Sequence, residues 1–274
     1  MPPKSAPLKD NTKADAKPVK GVRLRPVPAV SRSIAILRLL GDNKAGMGVK
    51  AIADTLDLVP STCLHILRVL VAEELVHVDP ASKRYSLAGG MIALARSVLA
   101  GSGFAQLAQS ALDKIASTFS VTAMGVEVTP KQSVVVLALS KSSQPFRLHT
   151  DVGSQFNHLA SATGRLIAAC GDENWTQLRK KFQAIQWDKA PSFDTWKEEV
   201  ELARVQGWSV DRDNFIGGLT VVAVPIFDAS RRLTHTLVAA GLSSQLNPAT
   251  TVKVAQAMQY EAKAVADLML ARGG

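Results

Sequence analysis

The chain has 274 residues, of which 47% are hydrophobic and 20% charged, and its formal net charge is +9. That length holds one large or two ordinary domains, and the composition is ample for packed cores and normal for a soluble protein. No apolar run approaches the roughly 18 residues of a membrane helix, and the N-terminus lacks an apolar signal core. The two cysteines, Cys63 and Cys170, sit in alanine- and leucine-rich helical contexts and read as buried free thiols of a reducing cytoplasm.

Residues 1–28 hold Lys4, Lys9, Lys13, Lys17, Lys20, Arg23 and Arg25 against Asp10 and Asp15, a surplus of five positive charges. Rich in Pro, Lys and small polar residues and without periodicity, they predict a disordered basic tail. Such a tail either adds non-specific affinity for DNA or simply solubilises. A helix is predicted over 29–40, with Val30, Ile34, Leu37 and Leu40 on one side and Gly41 and Asn43 ending it. A short helix follows over 50–56, with Ile52, Ala53 and Leu56 inward. Only Asp57, Leu58 and Val59 then precede Pro60, which suits a first helical turn because that position needs no N–H donor.

The helix begun at Pro60 is predicted to run to about residue 74. At roughly 100° per residue, Cys63, Ile66, Leu67 and Leu70 form a core stripe, and Ser61, Leu64, His65 and Arg68 the opposite face. Two strands, 75–78 and 83–87, flank an Asp79-Pro80-Ala81-Ser82 turn, with Lys83 and Arg84 near the tip. Taken singly, these are an ordinary amphipathic helix and an ordinary hairpin. Two short helices on a tight connection followed by a basic hairpin make a winged helix-turn-helix over 29–88. Ser61, Thr62, His65 and Arg68 would face the major groove, Lys83 and Arg84 the backbone or minor groove, and Arg32 would add a phosphate contact.

A linker helix is predicted over 89–102, striped by Met91, Leu94, Ala95 and Val98 and broken at Gly101-Ser102-Gly103. Its single apolar stripe offers a dimer seam. Residues 103–274 then read as a helix over 104–120, strands over 123–128 and 133–139 around a 129–132 turn, and an irregular stretch over 153–160. Ser161-Ala162-Thr163-Gly164 leads into a helix over 165–170. Polar helices follow near 175–182 and 195–206, the second starting with Thr195 and Glu198 in capping-box spacing and ending at Gly207. Strands 208–211, 219–227 and 233–242 precede a final helix over 248–271 capped by Asn247. This order predicts an α/β domain with a mainly antiparallel sheet.

Enzymatic chemistry finds little support. His65, His77, His149, His158 and His235 show no helical metal spacing, and there is neither a nucleophile elbow nor a Walker loop. His149 lies before the 153–160 stretch and His158 near its end, and both read as structural histidines, with a ligand or base as the other option. Gly217-Gly218 precedes a strand and reads as a turn. No enzyme activity, metal or cofactor is expected.

Three stretches resemble the IclR family of bacterial transcription regulators, over about residues 27–271. The first runs over 27–40, with Ser31-Arg32 and Ile36-Leu37. The second is Pro60-Ser61-Thr62 through His65, Leu67 and Leu70, with Tyr85-Ser86-Leu87-Ala88-Gly89 after the wing. The third is Gly207-Trp208-Ser209-Val210-Asp211, then Gly218-Leu219, Ala223 and Pro225-Ile226-Phe227-Asp228. Pro60 and His65 depart from the family's frequent Lys and Arg, which makes Arg68 more important. The resemblance implies an α+β chain: an N-terminal winged helix-turn-helix, a linker helix, and a C-terminal GAF-like effector domain that senses a small organic or aromatic acid. It also implies homodimers, often paired into tetramers, on palindromic operator DNA.

By the same resemblance, Ala162, Thr163 and Gly164 match the helix start that holds the effector. Free N–H groups and the helix dipole favour a carboxylate there, although an ordinary solvated helix start has the same chemistry. Asp211 matches an acidic pocket position, where it would accept from a ligand hydroxyl or pair with Arg212 or another surface cation. Val221, Val238 and Ala240 stand where the family often has Cys and two Ser. Polar ligand atoms buried without partners cost roughly 1–3 kcal/mol each, so the lost groups point to a bulkier, aromatic acid. The sequence thus reads as a cytoplasmic, ligand-responsive transcription regulator, with no membrane partner. The alternative is a small-molecule-binding protein or enzyme with a vestigial winged helix used for dimerisation.

Overall fold

The computed structural model describes residues 27–101, 103–129, 133–141 and 150–272. The basic tail expected over 1–28 falls outside them except for its last two residues, as do the 130–132 turn and His149. The chain divides into two compact units, Met1–Leu94 and Ala95–Gly274.

In the first unit, α1 (Pro28–Asp42), α2 (Val49–Thr55) and α3 (Pro60–Ala72) precede the antiparallel pair β1 (Val76–Val78) and β2 (Tyr85–Leu87). Pro28 and Pro60 stand at the first helical positions, where a fixed φ helps and no N–H is missed. The core is Ile36, Leu40, Ile52, Ala53, Cys63, Leu67, Leu70, Val76 and Tyr85. The inward stripe of α1 therefore differs from expectation. Leu40 is buried as expected, but Ile36 is buried with it, while Val30 and Ile34 are 54% and 43% exposed. Two apolar stripes compete on this helix, and α3 and β2 cover the one that contains Ile36.

α3 stops at Ala72 rather than at residue 74. Glu74 turns left-handed with φ 58°, and the Leu75 N–H reaches back to the Leu70 carbonyl, closing the helix end. In the wing, the Asp79 carboxylate accepts from the N–H groups of Ala81 and Ser82. The Ser82 hydroxyl and the Ala81 N–H hold the Asp79 pKa below its ordinary value. Met47 exchanges both backbone hydrogen bonds with Tyr85 and so adds a third, one-residue rung to the wing. α4 (Gly90–Gly101) follows, with Met91 half-buried and Leu94 and Ala95 exposed; the Val98 side chain is outside those described.

The second unit is a six-stranded antiparallel sheet in the order β5-β4-β3-β8-β7-β6. The strands are β3 (Thr122–Val128), β4 (Ser133–Ser140), β5 (Gln155–Asn157), β6 (Ser209–Arg212), β7 (Leu219–Phe227) and β8 (Leu233–Leu242). α5 (Gly103–Phe119) and α9 (Pro248–Arg272) pack on one face, and α6 (Ser161–Cys170) and α8 (Phe193–Gln206) on the other. α7 (Trp175–Gln183) joins the second layer through Leu178 and Phe182. Strand alternation divides the layers: Leu237 and Ala239 meet α5 and α9, whereas Val238 and Ala240 belong to the α6 side. α8 starts earlier than expected, at Phe193, because Ser192 caps it through the Thr195 N–H. The capping box is instead on α7, between Asn174 and Gln177. No single described helix is long and apolar enough to cross a membrane.

Candidate functional site

The outward face of α3 presents Ser61, His65 and Arg68 to solvent, with Thr62 and Leu64 half-buried beside them. These positions recur at i, i+4 and i+7, one stripe of a helix. Its apolar side is spent on Cys63, Leu67 and Leu70, so the polar side is left facing out. Among the described residues, no ion pair engages Arg32, His65, Arg68 or Lys83. Lys83 takes φ 54° at the wing turn and is exposed. Arg84 is placed differently from a free tip cation, since its guanidinium donates to the Gly46 carbonyl at 2.9 Å. It ties the wing to the α1–α2 loop. A helix with one hydroxyl-, imidazole- and guanidinium-bearing face is what a groove about 12 Å wide accepts, with cations either side for the backbone.

The second unit contains a cavity of about 220 Å³. Its floor is the sheet: Met124 and Val126 on β3, Val134 and Val136 on β4, Val221 on β7, Val238 and Ala240 on β8. Phe156, Phe215 and Ile216 form the sides, and Ala160, Ser161 and Thr163 bring in the start of α6. No side chain caps that start. The first N–H groups of a helix have no carbonyl within it, so this end of an otherwise apolar cavity carries unpaired donors and a positive dipole end.

Of the residues expected to hold an effector, the cavity brings together Thr163, Val221, Val238 and Ala240. Ala162 is fully buried beneath it, and its carbonyl accepts from the Ser209 hydroxyl at 2.7 Å. Gly164 serves packing: a Cβ there would lie 2.0 Å from the Leu159 carbonyl, so the helix crosses the preceding loop at backbone contact. Asp211 is 1% exposed, and its Oδ1 accepts no hydrogen bond from the described residues although it is ion-paired. One oxygen lies 3.1 Å from the Arg165 guanidinium, and the other accepts from the Phe215 N–H at 3.0 Å. Its partner is thus a buried arginine, not Arg212, whose guanidinium instead donates to the Leu246 carbonyl and the Thr251 hydroxyl.

Arg165 is the residue the sequence reading missed. It is wholly buried and bonds to Glu199 at 2.7 Å, to the Ser161 carbonyl at 3.0 Å and to the Asn214 side chain at 3.2 Å. Its guanidinium also lies 6.0 Å from the Trp187 ring. It therefore ties α6 to α8, to β6 and to the loop that carries Phe215 into the cavity wall. The available signal was a lone arginine followed by Leu166-Ile167-Ala168-Ala169, since a charge is almost never buried unless paired. Two carboxylates on one guanidinium leave no surplus cation at this end, so an anion in the cavity would rely on the α6 N–H groups. On the opposite sheet face, His235 stacks on Phe104 at 4.1 Å, and burial pushes its pKa down to about 4. Among the described residues no three His, Cys, Asp or Glu side chains cluster for a metal.

The bacterial transcriptional regulator IclR C-terminal family model matches residues 96–267, and the IclR helix-turn-helix domain model matches residues 29–80. The glycerol operon regulatory protein of Streptomyces griseus is 29% identical over 208 residues, 76% of this chain and 82% of that protein. The HTH-type transcriptional repressor AllR of Escherichia coli K12 is 23% identical over 221 residues, 80% of this chain and 81% of that protein. An IclR transcriptional regulator from Alicyclobacillus acidocaldarius, 24% identical, superimposes with a TM-score of 0.76 over 88% of this chain and 98% of its own.

Proposed function

The chain belongs to the IclR family, whose members are DNA-binding transcription regulators, and on that premise we propose that an aromatic acid in the cavity of the second unit is its effector. The observation that carries this reading is an apolar cavity of about 220 Å³ with an uncapped helix start at one end. A dry cavity of about 150 Å³ is enough for benzene, so a ring with one substituent is the matching size. The carboxylate would lie at the start of α6, near Thr163, and the ring against Val221, Val238 and Ala240. A polyol or small keto acid fits worse, because the aliphatic sheet floor offers its oxygens no partner and Asp211 is not among the lining residues. In this reading Ala162, Gly164 and Asp211 act behind the surface, by shaping the α6 start and the Phe215 loop.

For DNA, the reading puts Ser61, Thr62, His65 and Arg68 in the major groove of an operator. Lys83 and Arg84 meet the backbone or minor groove, and Arg32 a phosphate. Residues 29–88 form the DNA module, 89–102 the linker and 103–274 the effector domain of a cytoplasmic homodimer that can pair into a tetramer. The acid then acts by binding one arrangement of the paired DNA modules better than the other. A thermal-shift panel tests the effector class. Benzoate and substituted benzoates are expected to raise Tm; a rise with glyoxylate or pyruvate and with no aromatic acid would sink the reading.

A further inference from the structure

Ser161 carries two features that the fold does not use. Its backbone is left-handed, with φ 54°, although it is not glycine. Its Oγ is buried and has no hydrogen-bond partner among the described residues. Strain of that kind persists where the surroundings over-determine it, and an unsatisfied buried hydroxyl needs a reason. The hydroxyl does not cap α6, since that start has no side-chain cap.

The surroundings do fix this residue. The Ser161 carbonyl accepts from Arg165 at 3.0 Å, and Arg165 is itself held by Glu199 at 2.7 Å and Asp211 at 3.1 Å. Just beyond, Gly164 lies against the Leu159 backbone, so the turn has no room to relax backwards. Thr150 and Thr163 are the other lining residues with a hydroxyl. The floor is aliphatic, and of these three residues Ser161 is the one whose hydroxyl oxygen is both fully buried and unpaired among the described residues.

We propose that Ser161 is a specificity-determining residue of the effector site, its hydroxyl donating to the ligand's carboxylate. Ser161 lines the cavity beside the α6 N–H groups, where an acceptor would meet its hydroxyl. The inference rests on the aromatic-acid reading above, and it adds that the acid is selected over the bare ring by a side chain as well as by the helix end.

The test is a cycle of two ligands and three proteins, measured by calorimetry on the full chain. The ligands are benzoate and toluene, the same ring with and without the carboxylate. The proteins are wild type, Ser161→Gly and Ser161→Ala. Glycine removes the hydroxyl and relieves the left-handed strain, so this variant keeps its fold, which its Tm reports. Both variants are expected to lose about tenfold in benzoate affinity, or about 1.4 kcal/mol, and less than twofold for toluene. Equal losses for both ligands, or none for benzoate, would overturn the role of Ser161 and leave the aromatic-acid reading standing. Wild type binding toluene but not benzoate, or binding neither, would overturn both.

Discussion

Arg68 and Arg165 are two arginines on two helices with opposite fates. Arg68 stands exposed on α3, with no ion pair among the described residues. Arg165 is fully buried on α6 and shared between Asp211 and Glu199. A charge left in water and unpaired costs little to keep and is free to meet a phosphate or a base edge. A charge without water must be paired, and once paired it is architecture rather than a binding group. The same residue type thus reads as recognition in one unit and as scaffold in the other. The distinction rests on solvent, not on sequence.

The sharpest way to break that comparison is to neutralise both. Arg165→Met removes one member of a buried ion pair and strands Asp211 at 1% exposure. The expected loss is about 3–5 kcal/mol of unfolding free energy in urea titrations, because an uncompensated buried carboxylate remains. Arg68→Ala should leave stability within about 0.5 kcal/mol. A small effect at Arg165 would mean that the guanidinium is not the clamp described.

The buried, uncharged case lies between these. His235 has its pKa pushed to about 4 by burial, against 6.5 when free. Its stability contribution is complete above pH 6.5 and falls as the pH drops toward 4, because there the unfolded chain takes a proton that the folded one refuses. The expected slope is about 1.4 kcal/mol per pH unit within that window. Denaturation titrations between these limits check it, and His235→Leu should flatten that part of the curve.

The recognition side has a smaller but cleaner signature. Arg68→Ala is expected to weaken specific operator binding by about 1–3 kcal/mol in fluorescence anisotropy, using the region upstream of this protein's own gene against a scrambled duplex. Lys83→Ala should weaken both duplexes alike and lower the salt slope by about 1. If Arg68→Ala lowered both affinities equally, the exposed face of α3 would be a phosphate contact rather than a reader.

Much of the first unit was legible before any coordinates. Its elements are short and adjacent, Pro60 marks the start of α3, and the 3.6-residue period separates Cys63, Leu67 and Leu70 from Ser61, His65 and Arg68. The inward side of α1 was only partly legible: Leu40 is buried as its stripe implied, but packing turns the covered side toward Ile36 and leaves Val30 and Ile34 exposed. Arg84 likewise read as a free cation until Gly46, 38 residues earlier, took one of its donors. In the second unit the antiparallel sheet and the floor residues Val221, Val238 and Ala240 followed from alternation and resemblance, but the strand order and the floor residues on β3 and β4 did not. The Asp211–Arg165 pair did not: the two residues lie 46 positions apart, and Arg212, the neighbouring cation, is drawn to α9 instead.

By itself the sequence determined which residues share a face of each helix and strand, where the turns fall, and that the outward side of α3 is polar and basic. Periodicity, proline and turn chemistry act over a few residues, so they are written locally. Only the tertiary structure decided which face is covered, which charges lose their water and must pair, and that Ser161 sits strained beside a cavity. Those outcomes depend on elements distant in sequence arriving at one place. Packing, rather than local propensity, selects their partners.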